Sequence, residues 1–288
     1  MDETSSRPDK NGFQASAWHF AALLAGNAAL ALGPWLVRLS DTGPVSAGFW
    51  RLILPVPILA FLAWRSRSPG PLDKKLTVLC LIAGGFFAVD LASWHIGIEH
   101  TRLGNATLFG NAGSIVLLFW GIVIARTMPA RAEWAAIMLA LGGAAILLGR
   151  SAQISADTLM GDLFCITAGM LYAIYLLCLQ DARRALGSWS LLARVCVVAA
   201  PVLLLVALVR GEPVWPTDWT PLVVLALLSQ VVGQGLLVFA LRAFPPMIIG
   251  LALLTQPAVA ALYGWLVFGE ALGPLDLAGM AMVGAALA

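Results

Sequence analysis

The chain has 288 residues, 60% of them hydrophobic and only 11% charged, with a net charge of +2; its mean hydropathy is +0.90. This composition excludes a water-soluble globular domain, and near-neutral charge without a basic run excludes a nucleic-acid partner. Lipid is the solvent for most of the chain, so membrane lipid is an expected partner.

Residues 1–16 are polar and read as a short cytoplasmic tail. Ten apolar segments follow, near 17–39, 46–64, 76–98, 104–125, 133–149, 158–180, 189–209, 220–241, 247–268 and 275–288. A helix needs roughly 20 residues to cross ~30 Å of hydrocarbon, and the segments meet or approach that length. The tenth is short and would reach only ~21 Å. The first is too long for a cleavable signal peptide, and further spans follow it at once. Cys80, Cys165, Cys178 and Cys196 fall inside apolar segments without metal-ligand spacing and read as packing residues. The loops are short, so any function lies within the bundle.

Lys and Arg sort by side. Arg7, Lys10, Arg65, Arg67, Lys74, Lys75, Arg126, Arg131, Arg183, Arg184 and Arg242 face Arg38, Arg102, Arg150 and Arg210. Eleven against four places both termini in the cytoplasm under the positive-inside rule. Ala136, Met138, Gly142 and Ala144 recur as Ala278, Met280, Gly284 and Ala286, and Arg51 recurs as Arg194. Both arginines read as snorkelling side chains near span ends. The expected fold is an all-α integral membrane protein: ten transmembrane helices in two inverted five-helix repeats, 17–149 and 158–288, around a central cavity. Each repeat holds an odd number of spans, so the second enters the membrane from the opposite side, a construction suited to alternating access.

Polar residues in lipid are costly and tend to face the bundle interior. Span one offers Asn27 near mid-depth and a Gly33-Pro34 break. On span three, Asp90 lies ~12 Å from the outer end, and Trp94, four residues on, shares its face. His95 flanks them, and the three could hold an ammonium group, stack on a side chain and relay a proton. The alternative for Asp90 is that it caps a packing defect or pairs with an arginine near the outer surface. Span four offers Asn105 and Asn111; span six has Tyr172 and Tyr175, one turn apart, with core packing as the plain alternative. Gln230 and Gln234 share a face of span eight, where Gly233 and Gly235 permit close approach. Thr255, Gln256 and Pro257 interrupt span nine, and Glu270 closes it as a helix-end or gating residue. The candidate substrate-binding set is therefore Asn27, Asp90, Trp94, His95, Asn111, Tyr172, Tyr175, Gln230, Gln234 and Thr255, with Pro257 and Glu270 as helix-break or gating positions.

Gly269-Glu270 at the end of span nine, Gly279 and Gly284 on span ten, Pro257 and Arg51 carry a family resemblance. With ten spans in two halves, the chain resembles the drug/metabolite transporter superfamily, specifically its EamA-type members. The first half departs from the pattern, with Thr127-Met128 in place of Gly269-Glu270 and Ile115 in place of Pro257. The resemblance implies export of amino acids, drugs or other small metabolites.

The expected function is a secondary transporter exporting small zwitterionic metabolites, amino acids foremost, across the bacterial inner membrane. It has no catalytic residues, metal or cofactor, and no P-loop for ATP. Protons, through Asp90 or His95, are candidate coupling ions, with uniport as the other option. The chain is expected as a monomer or weak homodimer. The alternative within the class is an exporter of drugs or lipophilic cations. Acid and amides in the deep spans argue against anionic substrates. An intramembrane lipid-acting enzyme is the remote alternative, and no HExxH or GxSxG motif supports it.

Overall fold

The structure is a computed structural model that describes residues 16–66, 73–101, 103–149, 155–269 and 271–287. Every regular element among the described residues is helical. Among the described residues, nine helical segments are long and apolar enough to cross a membrane: α1 Ala17–Leu39, α2 Pro44–Arg65, α3 Lys74–His100, α4 Asn105–Ala125, α5 Arg131–Gly149, α6 Leu159–Ala182, α7 Ser188–Val209, α8 Thr220–Ala240 and α9 Pro246–Leu266. A shorter apolar helix, α10 Pro274–Ala285, follows. Its twelve residues span only ~18 Å.

Contacts at the helix ends fix the directions. At the end where α1 begins (the near end), His19 stacks on Phe239 at 4.8 Å and Phe20 meets Phe244 edge-on. Gln180, closing α6, donates to the Phe244 carbonyl at 2.6 Å. At the opposite (far) end, Gly43 N donates to Pro213 O at 3.0 Å, and Thr101 donates to Asp162 at 2.5 Å. Successive helices in these contacts therefore run up and down through one bundle.

The principal pairings are α3 with α6, α1 with α8, α2 with α7, α4 with α9, α5 with α10, α3 with α7, α2 with α8, α4 with α6 and α1 with α9. Glycine makes the closest of these possible. A Cβ on Gly26 of α1 would stand 2.8 Å from the Gly233 carbonyl oxygen of α8, and one on Gly250 of α9 would stand 2.7 Å from that of Ser114 on α4. Such contacts let backbones approach where lipid supplies no hydrophobic drive for helix association.

Several helices are not continuous. α1 breaks at Leu32 and restarts with Pro34 in its next turn; α2 breaks at Leu54–Pro55, with Pro57 close behind; α9 breaks at Leu254–Thr255, ahead of Pro257. In each case proline lacks the N–H that would continue the ladder. α4 breaks at Asn111 without proline: the Asn111 amide donates to the Thr107 carbonyl at 2.7 Å, in competition with the backbone. Part of α8, Ala226–Gln234, is wound as a π-helix, a form that concentrates at functional sites.

Candidate functional site

The interruptions surround one cavity of about 140 Å³, roughly ten times the ~10–15 Å³ that holds a single water. Gly33 and Pro34 of α1, Arg51 of α2, Asp90 and Trp94 of α3, Thr107 and Asn111 of α4, Tyr172 of α6, Gln234 of α8 and Gln256 of α9 all line it. Gly33, Pro34, Asn111 and Gln256 sit at or beside helix breaks, so part of the main-chain irregularity lines this cavity, where the membrane tolerates it.

Two opposite charges dominate the cavity. Asp90 is 5% exposed and Arg51 is 6% exposed. Arg51 is the charged group facing Asp90, yet no ion pair joins them among the described residues. Arg51 Nε is buried without a hydrogen-bond partner. Burying an ion costs several kcal/mol unless a partner compensates it, and neither group has such a direct partner in the other. Arg51 thus does not snorkel to a span end. It stands seven residues past Pro44, ~10 Å into the helix, and that depth was the available signal. Its presence also weakens the argument from acid and amides in the deep spans against anionic substrates.

The remaining sequence candidates divide between the wall and its support. Trp94 and Asn111 line the cavity. Tyr172 lines it too, its hydroxyl accepting from Gln234 Nε2 at 3.1 Å. Tyr175 stands one layer back: it is buried, stacks on Phe87 at 4.3 Å, and donates to Gln234 Oε1 at 3.4 Å. Gln230 also stands behind the wall, its amide directed to Cys196 Sγ at 3.2 Å. Gln234 alone of that pair reaches the cavity.

Asn27 and Thr255 form a clamp rather than a wall. Asn27 Nδ2 donates to Ala252 O at 2.8 Å and to Thr255 Oγ1 at 2.5 Å, and Asn27 Oδ1 accepts from Gln256 Nε2 at 2.8 Å. These bonds tie α1 to the break in α9 and turn Gln256 into the cavity. Pro257 lies in the first turn after that break. His95 is fully buried and off the wall, because one residue beyond Trp94 turns ~100° around the helix. It packs against Gly48 of α2. Glu270 lies outside the described residues.

At the far end, polar contacts join the loops. Arg210 pairs with Glu99 at 2.5 Å and with Glu212 at 2.8 Å, and Glu212 accepts from Ser46 N at 2.9 Å. The Thr217 hydroxyl and main-chain N–H donate to Asp41, which holds that exposed carboxyl below its usual range. Asn105 joins this end by donating to Asp162 at 3.0 Å.

The model of the EamA-like transporter family matches residues 16–149 and again residues 159–288. The threonine/homoserine exporter RhtA of Escherichia coli K12 is 27% identical over 243 residues, covering 82% of this chain and 78% of the exporter. An uncharacterized transporter of Archaeoglobus fulgidus is 23% identical over 142 residues, so the match spans about half of each protein, 48%. A solved crystal structure superposes with a TM-score of 0.73 at 16% identity over 93% of both chains, a likeness of fold. Matched over two stretches that cover nearly its whole length, this multi-pass membrane protein belongs to the EamA-like transporter family, and its business is moving a small molecule rather than catalysis.

Proposed function

We propose that the protein is a secondary exporter of small zwitterionic metabolites, amino acids foremost, working by alternating access in the bacterial inner membrane. One observation carries the reading: Arg51 and Asp90 line the same buried cavity without pairing. A carboxylate and an ammonium on one small molecule would satisfy both at once. Charge-assisted hydrogen bonds are about twice as strong as neutral ones, and in a low-dielectric interior they distinguish a zwitterion from an amine or an acid alone. Asn111, Gln234 and Gln256 add amides for the remaining polar atoms, and Trp94 offers an aromatic face. The Escherichia coli relative exports threonine and homoserine, both small zwitterions.

Ten spans in two inverted halves form the scaffold in this reading. Exchanging α1 with α6, α2 with α7, α3 with α8, α4 with α9 and α5 with α10 turns each principal helix pairing into itself or another of the same set, as a twofold relation in the membrane plane requires. With both termini cytoplasmic, the far end faces outward. The cavity residues of α1, α2, α3 and α4 lie toward that end, while toward the near end α4 and α9 pack through Gly121 and Gly250. The conformation is therefore read as closed to the cytoplasm.

Counterflow in proteoliposomes tests the proposal, with labelled L-threonine, L-homoserine, other neutral amino acids and tetraphenylphosphonium as substrates. Exchange of neutral amino acids is the expected result. Exchange of the lipophilic cation with none of the amino acids would overturn it in favour of a drug exporter.

A further inference from the structure

We infer that Gly33 and Ser229 complete, with Arg51, a subsite for the substrate's carboxylate at the break in α1. The inference rests on the zwitterion reading and assigns one end of that molecule to named atoms.

Ser229 lies in the π-helical stretch of α8 and is fully buried, yet its Oγ has no hydrogen-bond partner. A buried hydroxyl left alone destabilises the fold, and alanine would fit the same place without that penalty. Gly33 is part of the cavity wall. A Cβ built on it would stand 3.6 Å from Ser229 Oγ and 4.0 Å from Arg51 Nη1. The hydroxyl and the guanidinium therefore flank one side of Gly33, where the cavity wall carries no side chain, with Ser229 directly behind that wall.

Both groups can donate, and Arg51 makes that side electropositive. A cation is excluded, and a planar carboxylate can accept from the hydroxyl and the guanidinium together. Asp90 lies on the same cavity wall for the ammonium. The break at Leu32, with Pro34 fixing the next turn, keeps Gly33 where a continuous helix bearing a larger residue would cover that side.

The test uses Ser229→Ala and Gly33→Ala. Both should fold: the first removes an unpartnered group, and the second places a methyl at ordinary contact distance from its neighbours. Counterflow of labelled L-threonine gives the half-saturation concentration, and inhibition by L-threoninol, which keeps the ammonium but lacks the carboxylate, gives the control. We expect each variant to raise the L-threonine value about tenfold while inhibition by L-threoninol stays within about twofold. Thermal denaturation in detergent should place Ser229→Ala at or above the wild-type Tm, which a packing role would not. The subsite is overturned if neither ligand shifts, which marks a water site only, or if both shift together, which marks a general packing defect. Failure of the wild-type protein to exchange any amino acid would instead overturn the zwitterion reading, and the subsite with it.

Discussion

Arg51 and Arg194 occupy matching places about two turns into α2 and α7, yet they sit in different company. Arg51 is buried on the cavity wall, which it shares with Asp90 and Tyr172. Arg194 is half-buried and donates to Ser190 of its own helix at 3.2 Å. The helices differ likewise. Pro55 and Pro57 break α2 a few residues past Arg51, whereas α7 runs without a break through Pro201. The same position therefore yields a charged cavity group in one half and a locally satisfied side chain in the other. Backbone placement can be duplicated, but the chemistry depends on which neighbours a given copy acquires, and Asp90 has no counterpart in the second half.

Arg51→Met against Arg194→Met is the sharpest way to break the comparison. Losing one member of a desolvated charge contact costs ~2–5 kcal/mol, so Arg51→Met should lower amino-acid counterflow about a hundredfold or more. Arg194→Met should stay within about threefold, since it loses one intrahelical bond. Equal losses would show that both arginines serve the scaffold.

Asp90→Asn comes next, with an expected loss of about ten- to a hundredfold in apparent affinity for amino acids. If Asp90 also carries the coupled proton, the pH dependence of uptake into proteoliposomes disappears with it; unchanged pH dependence would remove that role.

Trp94→Ala should reduce transport about fivefold, on the scale of a partly desolvated cation–π contact, with the expression level unchanged. An unaltered rate would reduce Trp94 to packing.

Asp41→Asn should have the smallest effect. Hydrogen bonds from Thr217 lower the folded-state pKa of Asp41 below its ordinary 3.8. The stabilisation is therefore complete above that value and is lost as pH falls through the lower, folded-state one. The Tm of the wild type should exceed that of the variant by an amount on the order of 1 °C at neutral pH, and the gap should close only below about pH 3.8. A gap that closes near neutrality would assign it to another group.

The nine long helices begin and end within two residues of the segments read from hydropathy, and the tenth is short in both. The breaks at Gly33-Pro34 and Pro257 were legible because proline acts on its own backbone. The break in α4 was not, because Asn111 causes it by bonding the Thr107 carbonyl, an option every helical asparagine has. Of the polar candidates, Asp90, Trp94, Asn111, Tyr172 and Gln234 reach the cavity, while Asn27, Tyr175, Gln230, Thr255 and His95 stand behind it. Gln256 was named only as part of the span-nine interruption, although it is the member of that group on the wall.

By itself, the sequence determined where the long apolar helices begin and end, and the proline breaks in α1 and α9, because both depend on residues close together in the chain. Only the tertiary structure decided which side chains share the cavity. A membrane helix is apolar toward lipid and toward its neighbours alike, so hydrophobic periodicity does not mark its inner face. Arg51 and Asp90 belong to different helices, and their common cavity exists because helix packing and helix breaks leave that space between them.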